Sequence, residues 1–199
     1  MALGNVTRLA EFVRGTARST PRTGVRWRER TVAGMVPYIL GLPVERVLAL
    51  DAELAPGPWP AWHSAVPSAR YGKTLKAPIG GVRYAARLGV QVWDERVAAV
   101  LLDWPEASFA SSTDWRRASW ALRDQVVATY TPEIAKGNER LHDDVLVLAE
   151  AGDAAGNRVM ALSADRTISL VYLWGPFART GPSVPVLSRT LEPAEIAAK

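Results

Sequence analysis

Two histidines, His63 and His142, are the natural place to look for chemistry, because imidazole moves protons near neutral pH and binds metals. His142 is followed by Asp143 and Asp144, residue types that can hold a cation or relay a proton. Adjacent residues in a turn point in different directions, however, and no HxxxH or HExxH spacing exists. With no cysteine in the chain, thiolate sites and disulfides are excluded together. Ser64 beside His63 is a neighbour in sequence only, without the GxSxG turn that presents a nucleophilic serine. Lys73, Lys76 and Gly80-Gly81 have the composition of a phosphate loop. The spacing GxxxxGK[ST] is absent, and a strand pattern follows where a helix is required, so the glycines read as a turn into a strand at Val82. The sequence names no catalytic residue, no metal ligand and no cofactor.

Recognition chemistry is better represented. Arg22, Arg26, Arg28 and Arg30 interleave with Trp27, a composition suited to stacking on bases or to anchoring in a protein interface. The first thirty residues hold seven arginines against two glutamates, a surplus of five. Because the whole chain carries +4, the rest sits at −1. A basic segment on a balanced chain reads as an attachment element for an acidic surface, whether nucleic acid, membrane or another subunit. Arg70, Lys73, Lys76, Arg83 and Arg87 extend the positive charge, but Asp94, Glu95, Asp103 and Glu106 lie near them in sequence and dilute it. With no extended positive track beyond residue 30, docking onto protein is the preferred reading of the arm. Trp59 and Trp62 are the other candidate interaction residues, set among Pro56, Pro58, Pro60 and Pro67. Their indoles can either drape this loop over the core or serve as partner-facing anchors, and draping is the expectation.

The elements that must position these residues follow from periodicity. Val6, Leu9, Ala10, Val13 and Ala17 recur at helical spacing, and Pro21 lies in the stretch that ends that helix. Val25 to Arg30 alternates as an extended segment. A short helix is predicted over 31–40, bent or ended near Pro37, and another from Pro43 to about Leu54. The prolines between Ala55 and Pro78 argue against a regular helix or a central strand there. Val82, Tyr84, Ala86, Leu88, Val90 and Val92 form a period-two set, the mark of a half-buried strand. A turn at Asp94-Glu95 leads to a second strand, 97–104, apolar on both faces and therefore central. Ser111 to Asp114 supply caps for a helix to about Tyr130, with Trp115, Ala118, Leu122 and Val126 as its stripe, widened by Trp120, Val127 and Tyr130. Strands at 145–150, 158–164 and 167–174 follow at hairpin spacing. The tail from Gly175, with four prolines, is too aperiodic for core.

The expected fold is therefore α+β, an antiparallel sheet of about five strands with one long helix packed on it. Its parts are a basic N-terminal helical region at 1–54, a Pro/Trp-rich connector at 55–78, the sheet domain at 79–176 and a tail at 177–199. A composition of 48% apolar and 22% charged residues over 199 positions excludes disorder of the whole chain. No run reaches the roughly 18 apolar residues that cross a bilayer. The expectation is a soluble protein, cytoplasmic as synthesised and suited to incorporation into a particle or larger machine. Missing chemistry combined with a basic arm favours a non-enzymatic structural or assembly protein of virion-like or secretion-like machinery, whose partners are other subunits or itself. The competing readings are a nucleic-acid-binding protein using Arg18–Arg30, and a hydrolase or transferase with an unrecognised site.

Overall fold

A computed structural model describes residues 32–62, 69–130, 140–142, 145–152, 155–164 and 166–180. The arm containing Arg22, Arg26, Trp27, Arg28 and Arg30 lies outside the described residues, as do His63, Ser64, Asp143 and Asp144. The order is α1 (Val32–Ile39), α2 (Val44–Leu50), β1 (Ala55–Pro56), β2 (Arg70–Ile79), β3 (Val82–Trp93) and β4 (Arg96–Pro105). There follow α3 (Ser112–Tyr130), β5 (Arg140–His142), β6 (Val145–Gly152), β7 (Arg158–Ala164), β8 (Thr167–Leu173) and α4 (Gly175–Thr180).

Every strand pairing is antiparallel, in the order β1-β2-β3-β4-β8-β7-β6-β5. The α+β class is as expected, but the strand count is higher than five: among the described residues there are seven strands and the two-residue β1. Two meanders meet at the β4–β8 pair. The added strands come from segments that carry little periodicity. β5 is three residues long, and β2 runs through the lysines and Pro78 that argued for a loop. A proline fits there because β1 pairs only with Tyr71 and Gly72, which leaves the rest of β2 as a sheet edge among the described residues. The Arg70 carbonyl accepts the Gly57 N–H on the outer side. By alternation Gly72, Thr74, Lys76 and Pro78 also turn their main-chain groups outward, where a missing N–H breaks no ladder bond.

Hairpin turns sit where the strand pattern breaks. Gly80 and Gly81 both have positive φ between β2 and β3, and Asp94 and Glu95 adopt φ of 51° and 58° between β3 and β4, as two-residue primed turns require. Helix α3 starts on a capping bond, the Asp114 N–H donating to Ser111 Oγ at 3.1 Å. Its buried stripe of Ala118, Leu122 and Val126 packs on the sheet with Leu88, Val100, Trp104, Ala161 and Ile168, and Val36, Ile39, Leu40 and Val47 of the α1–α2 segment join the same cluster. Helix α2 ends at Leu50, earlier than the pattern suggested, because Asp51 leaves helical geometry.

A second apolar cluster covers the opposite face, with Trp62, Leu101, Met160, Leu162, Val171, Leu173 and Phe177. Phe177 corrects the reading of the tail as non-core: it is 1% exposed on α4, a helix too short to show periodicity. Trp120 is corrected in the other direction. It is 44% exposed, with Arg123 stacked 5.1 Å from its ring, because the stripe of α3 is narrower than its apolar composition implies.

Candidate functional site

Of the residues the sequence marked, the second face of the sheet carries Trp59, Trp62, Lys76, Arg83 and Arg87. On the β2–β3 ribbon this face is a ladder of paired rows: Gly72 with Gly89, Thr74 with Arg87, Lys76 with Ala85, and Pro78 with Arg83. The proximal end is covered. Trp59 lies over Gly72, and its indole N–H donates to the Ala55 carbonyl at 2.8 Å; the Pro60 backbone rests on Gly89. A side chain at either glycine would occupy the space of this strap, so the two glycines allow its close approach. Trp62 follows, 3% exposed, and its main-chain N–H donates to the wholly buried Gln91 Oε1 at 2.9 Å. Trp62 is thus a core residue and Trp59 a half-buried plate on the sheet. The stretch 63–68, with His63, lies outside the described residues.

Beyond Trp59 the ladder is open. Thr74, Lys76, Pro78, Arg83 and Ala85 are exposed, and Arg87 is half-buried. Arg87 leans toward Asp103 on β4 at 3.9 Å, and its Nε is buried with no hydrogen-bond partner. Asp103 is paired with Ser169, whose Oγ donates to Oδ1 at 2.7 Å. Burial pushes the Asp103 carboxyl up to about 6, against the opposing pull of the Ser169 hydrogen bond and the Arg87 charge.

Lys73, one of the phosphate-loop candidates, points to the other face and is committed there. Its ammonium bonds Asp51 at 2.8 Å and Glu53 at 2.9 Å, tying the end of α2 to β2. Burial pulls that ammonium down, but the two carboxylates outweigh it and hold the pKa above its ordinary value. Asn157 fixes α4 in the same manner, its Oδ1 accepting the Gly175 N–H at 2.7 Å.

Arg83 and Arg87 share one side of β3 as expected, and of the acids expected to dilute them Asp103 does so, 3.9 Å from Arg87, whereas Asp94 and Glu95 do not. In the fold those last two acids lie at the far turn, seven residues or about 23 Å along the strand from Arg87, more than two Debye lengths at physiological salt. Separation along a strand was available from the spacing. That Lys76 joins the same face is not legible from spacing, because the prolines around β2 speak for a loop. Among the described residues no group of three or more acidic or histidine side chains is placed to hold a metal. No described helix is long and apolar enough to cross a membrane. No family model matches the chain, and no curated protein or solved structure does so either.

Proposed function

We propose that this chain is a non-enzymatic structural or assembly protein that docks onto other subunits through its basic N-terminal segment. The observation that carries the reading is how most of the buried polar side chains among the described residues are employed, Arg87 Nε and Trp115 Nε1 being buried without a hydrogen-bond partner. Asp51 is bound to Lys73, Gln91 to the Trp62 N–H, Asp103 to Ser169 and Asn157 to the Gly175 N–H, while Ser119 donates to the Trp115 carbonyl. Each of these bonds joins one element to another or closes a helix turn. A polar interior used in this way suits a scaffold that holds its shape while its surface and arm make contacts.

Light scattering across a wide concentration range tests the proposal. The full chain is expected to associate, with itself or with a copurifying subunit. Deleting residues 1–30 is expected to abolish association while the circular dichroism of the sheet is kept. A strict monomer at all concentrations, without partner, would count decisively against it.

A further inference from the structure

The open half of the β2–β3 ribbon carries a positive strip that the net charge conceals. Arg83 and Arg87 are four residues apart on one strand, about 13 Å, and Lys76 stands opposite Ala85, midway between them. The rows therefore present one cation about every 6.7 Å. Small side chains, Ala85 and Thr74, fill the positions beside them and leave the strip low and flat. The acid nearest on this face, Asp103, is buried and held by Ser169, and Glu106 just beyond β4 is engaged by Arg166 at 3.5 Å. Among the described residues the side chains of Lys76 and Arg83 make no ion pair or hydrogen bond, and Arg87 has only its 3.9 Å ion pair with Asp103.

We propose that this strip binds single-stranded nucleic acid along its sugar–phosphate backbone, with Arg87, Lys76 and Arg83 each taking one phosphate. The row spacing fits an extended strand, whose step is roughly twice the 3.4 Å rise per base of a stacked one. Arginine contributes the planar fork that matches phosphate. An acidic peptide is the weaker occupant. Strand addition to β2 would find outward N–H groups at Thr74 and Lys76 but none at Pro78, so it would rest mainly on exposed ion pairs, worth about 0–1 kcal/mol each. A phosphodiester chain gains in addition from release of its condensed counterions. The inference goes beyond the assembly role and does not depend on the arm.

The test is fluorescence anisotropy of a labelled oligo-dT of about 12 nucleotides, titrated with the full chain over a salt series. The unaltered chain is expected to bind saturably. Replacing Lys76, Arg83 and Arg87 together by glutamine is expected to weaken binding at least about tenfold and to reduce the log–log salt slope by about 2, at roughly 0.7 per phosphate. The variant with Lys76→Gln and Arg83→Gln alone, both solvent-exposed, is expected to lose about 1.4 of that slope with an unchanged melting temperature, which separates binding from folding. A matched variant with Arg22, Arg26, Arg28 and Arg30 replaced by glutamine is expected to retain the strip's share of the slope. Absence of saturable binding overturns the proposal. So does a triple variant within twofold of the unaltered chain, or loss of binding only when the arm is changed. Displacement of the oligonucleotide by polyglutamate at equal charge overturns it in favour of an acidic protein partner.

Discussion

The two halves of the β2–β3 ribbon share one alternation of residues and have different fates. From Tyr84 to Ala86, β3 is buried or half-buried on its inner side only, with Arg83 and Ala85 in solvent and Val82 at the strand's start exposed as well; from Leu88 to Val92 both faces are buried. The difference comes from the segment Trp59–Trp62, which folds back over Gly72 and Gly89 but stops short of Thr74. A period-two pattern specifies which side chains share a face, and a distant segment decides whether that face is core or surface. Glycine marks the boundary: where the strap lies, the ribbon has Gly72 and Gly89, and where it is open the corresponding positions carry Lys76, Ala85, Arg83 and Arg87.

The largest effect expected from disturbing this contrast is on Trp62, the anchor of the covered half. Trp62→Ala removes an indole that is 3% exposed and loosens the segment whose N–H satisfies Gln91, so a loss of about 3–5 kcal/mol is expected in chemical denaturation. A loss below about 1 kcal/mol would mean that the strap is not part of the cooperative fold.

Gly89→Ala compares with Ala85→Val four residues away on the same face. The first puts a methyl group on the Pro60 backbone and is expected to cost about 2–3 kcal/mol while exposing Trp59 to iodide quenching. The second adds a β-branched side chain to an exposed strand position and is expected to stay within about 0.5 kcal/mol. Equal costs at the two sites would erase the distinction between the halves.

Much of this organisation was legible in the residues. The boundaries of β3, the turns at Gly80-Gly81 and Asp94-Glu95, the centrality of β4 and the cap at Ser111 each rest on local chemistry, and each lies where that chemistry put it. What escaped reading depended on distant contacts. β2 combines lysines and a proline that look like loop until its edge position is known, and Phe177 is core through long-range contacts of the short α4, among them the Asn157 bond to the Gly175 N–H and packing on Trp93. The basic strip belongs to the same class, since Lys76 meets Arg83 and Arg87 through strand pairing rather than sequence. Trp120, counted with an apolar stripe, faces solvent because Ala118, Leu122 and Val126 already fill the contact of α3.

Asp103 lies where β4 borders the open half of the ribbon and supplies a pH test of smaller size. Its carboxyl titrates at about 6 in the fold against an ordinary value of 3.8, so the folded state binds the proton more tightly than the unfolded one. The stability that Asp103 contributes should therefore be fully present below about pH 4, be lost as pH rises toward 6 and level off above it. Asp103→Asn can keep the Ser169 hydrogen bond without the buried charge. It is expected to remove that slope and to stabilise the protein at neutral pH by about 1–3 kcal/mol. A variant whose stability still falls between pH 4 and 6 would place the titration elsewhere.

The smallest change in stability is expected at the outer edge of the open half, where the consequence should be association instead. Lys76 and Pro78 occupy β2 positions whose main-chain groups face outward, and both side chains are in solvent. A charged side chain and a residue lacking an N–H are the usual means of stopping one sheet edge from pairing with another. Replacing them by Thr and Val removes no buried contact and adds strand propensity, so folding stability should change by less than about 0.5 kcal/mol. Edge-to-edge pairing, by contrast, gains an N–H at position 78 and loses the repulsion between lysines of adjoining copies. Sedimentation velocity of the double variant beside the parent chain should show an added concentration-dependent species, increasing with salt as the remaining cations Arg83 and Arg87 are screened. Identical sedimentation at every concentration and salt would mean that β2 is kept from pairing by something other than these two residues.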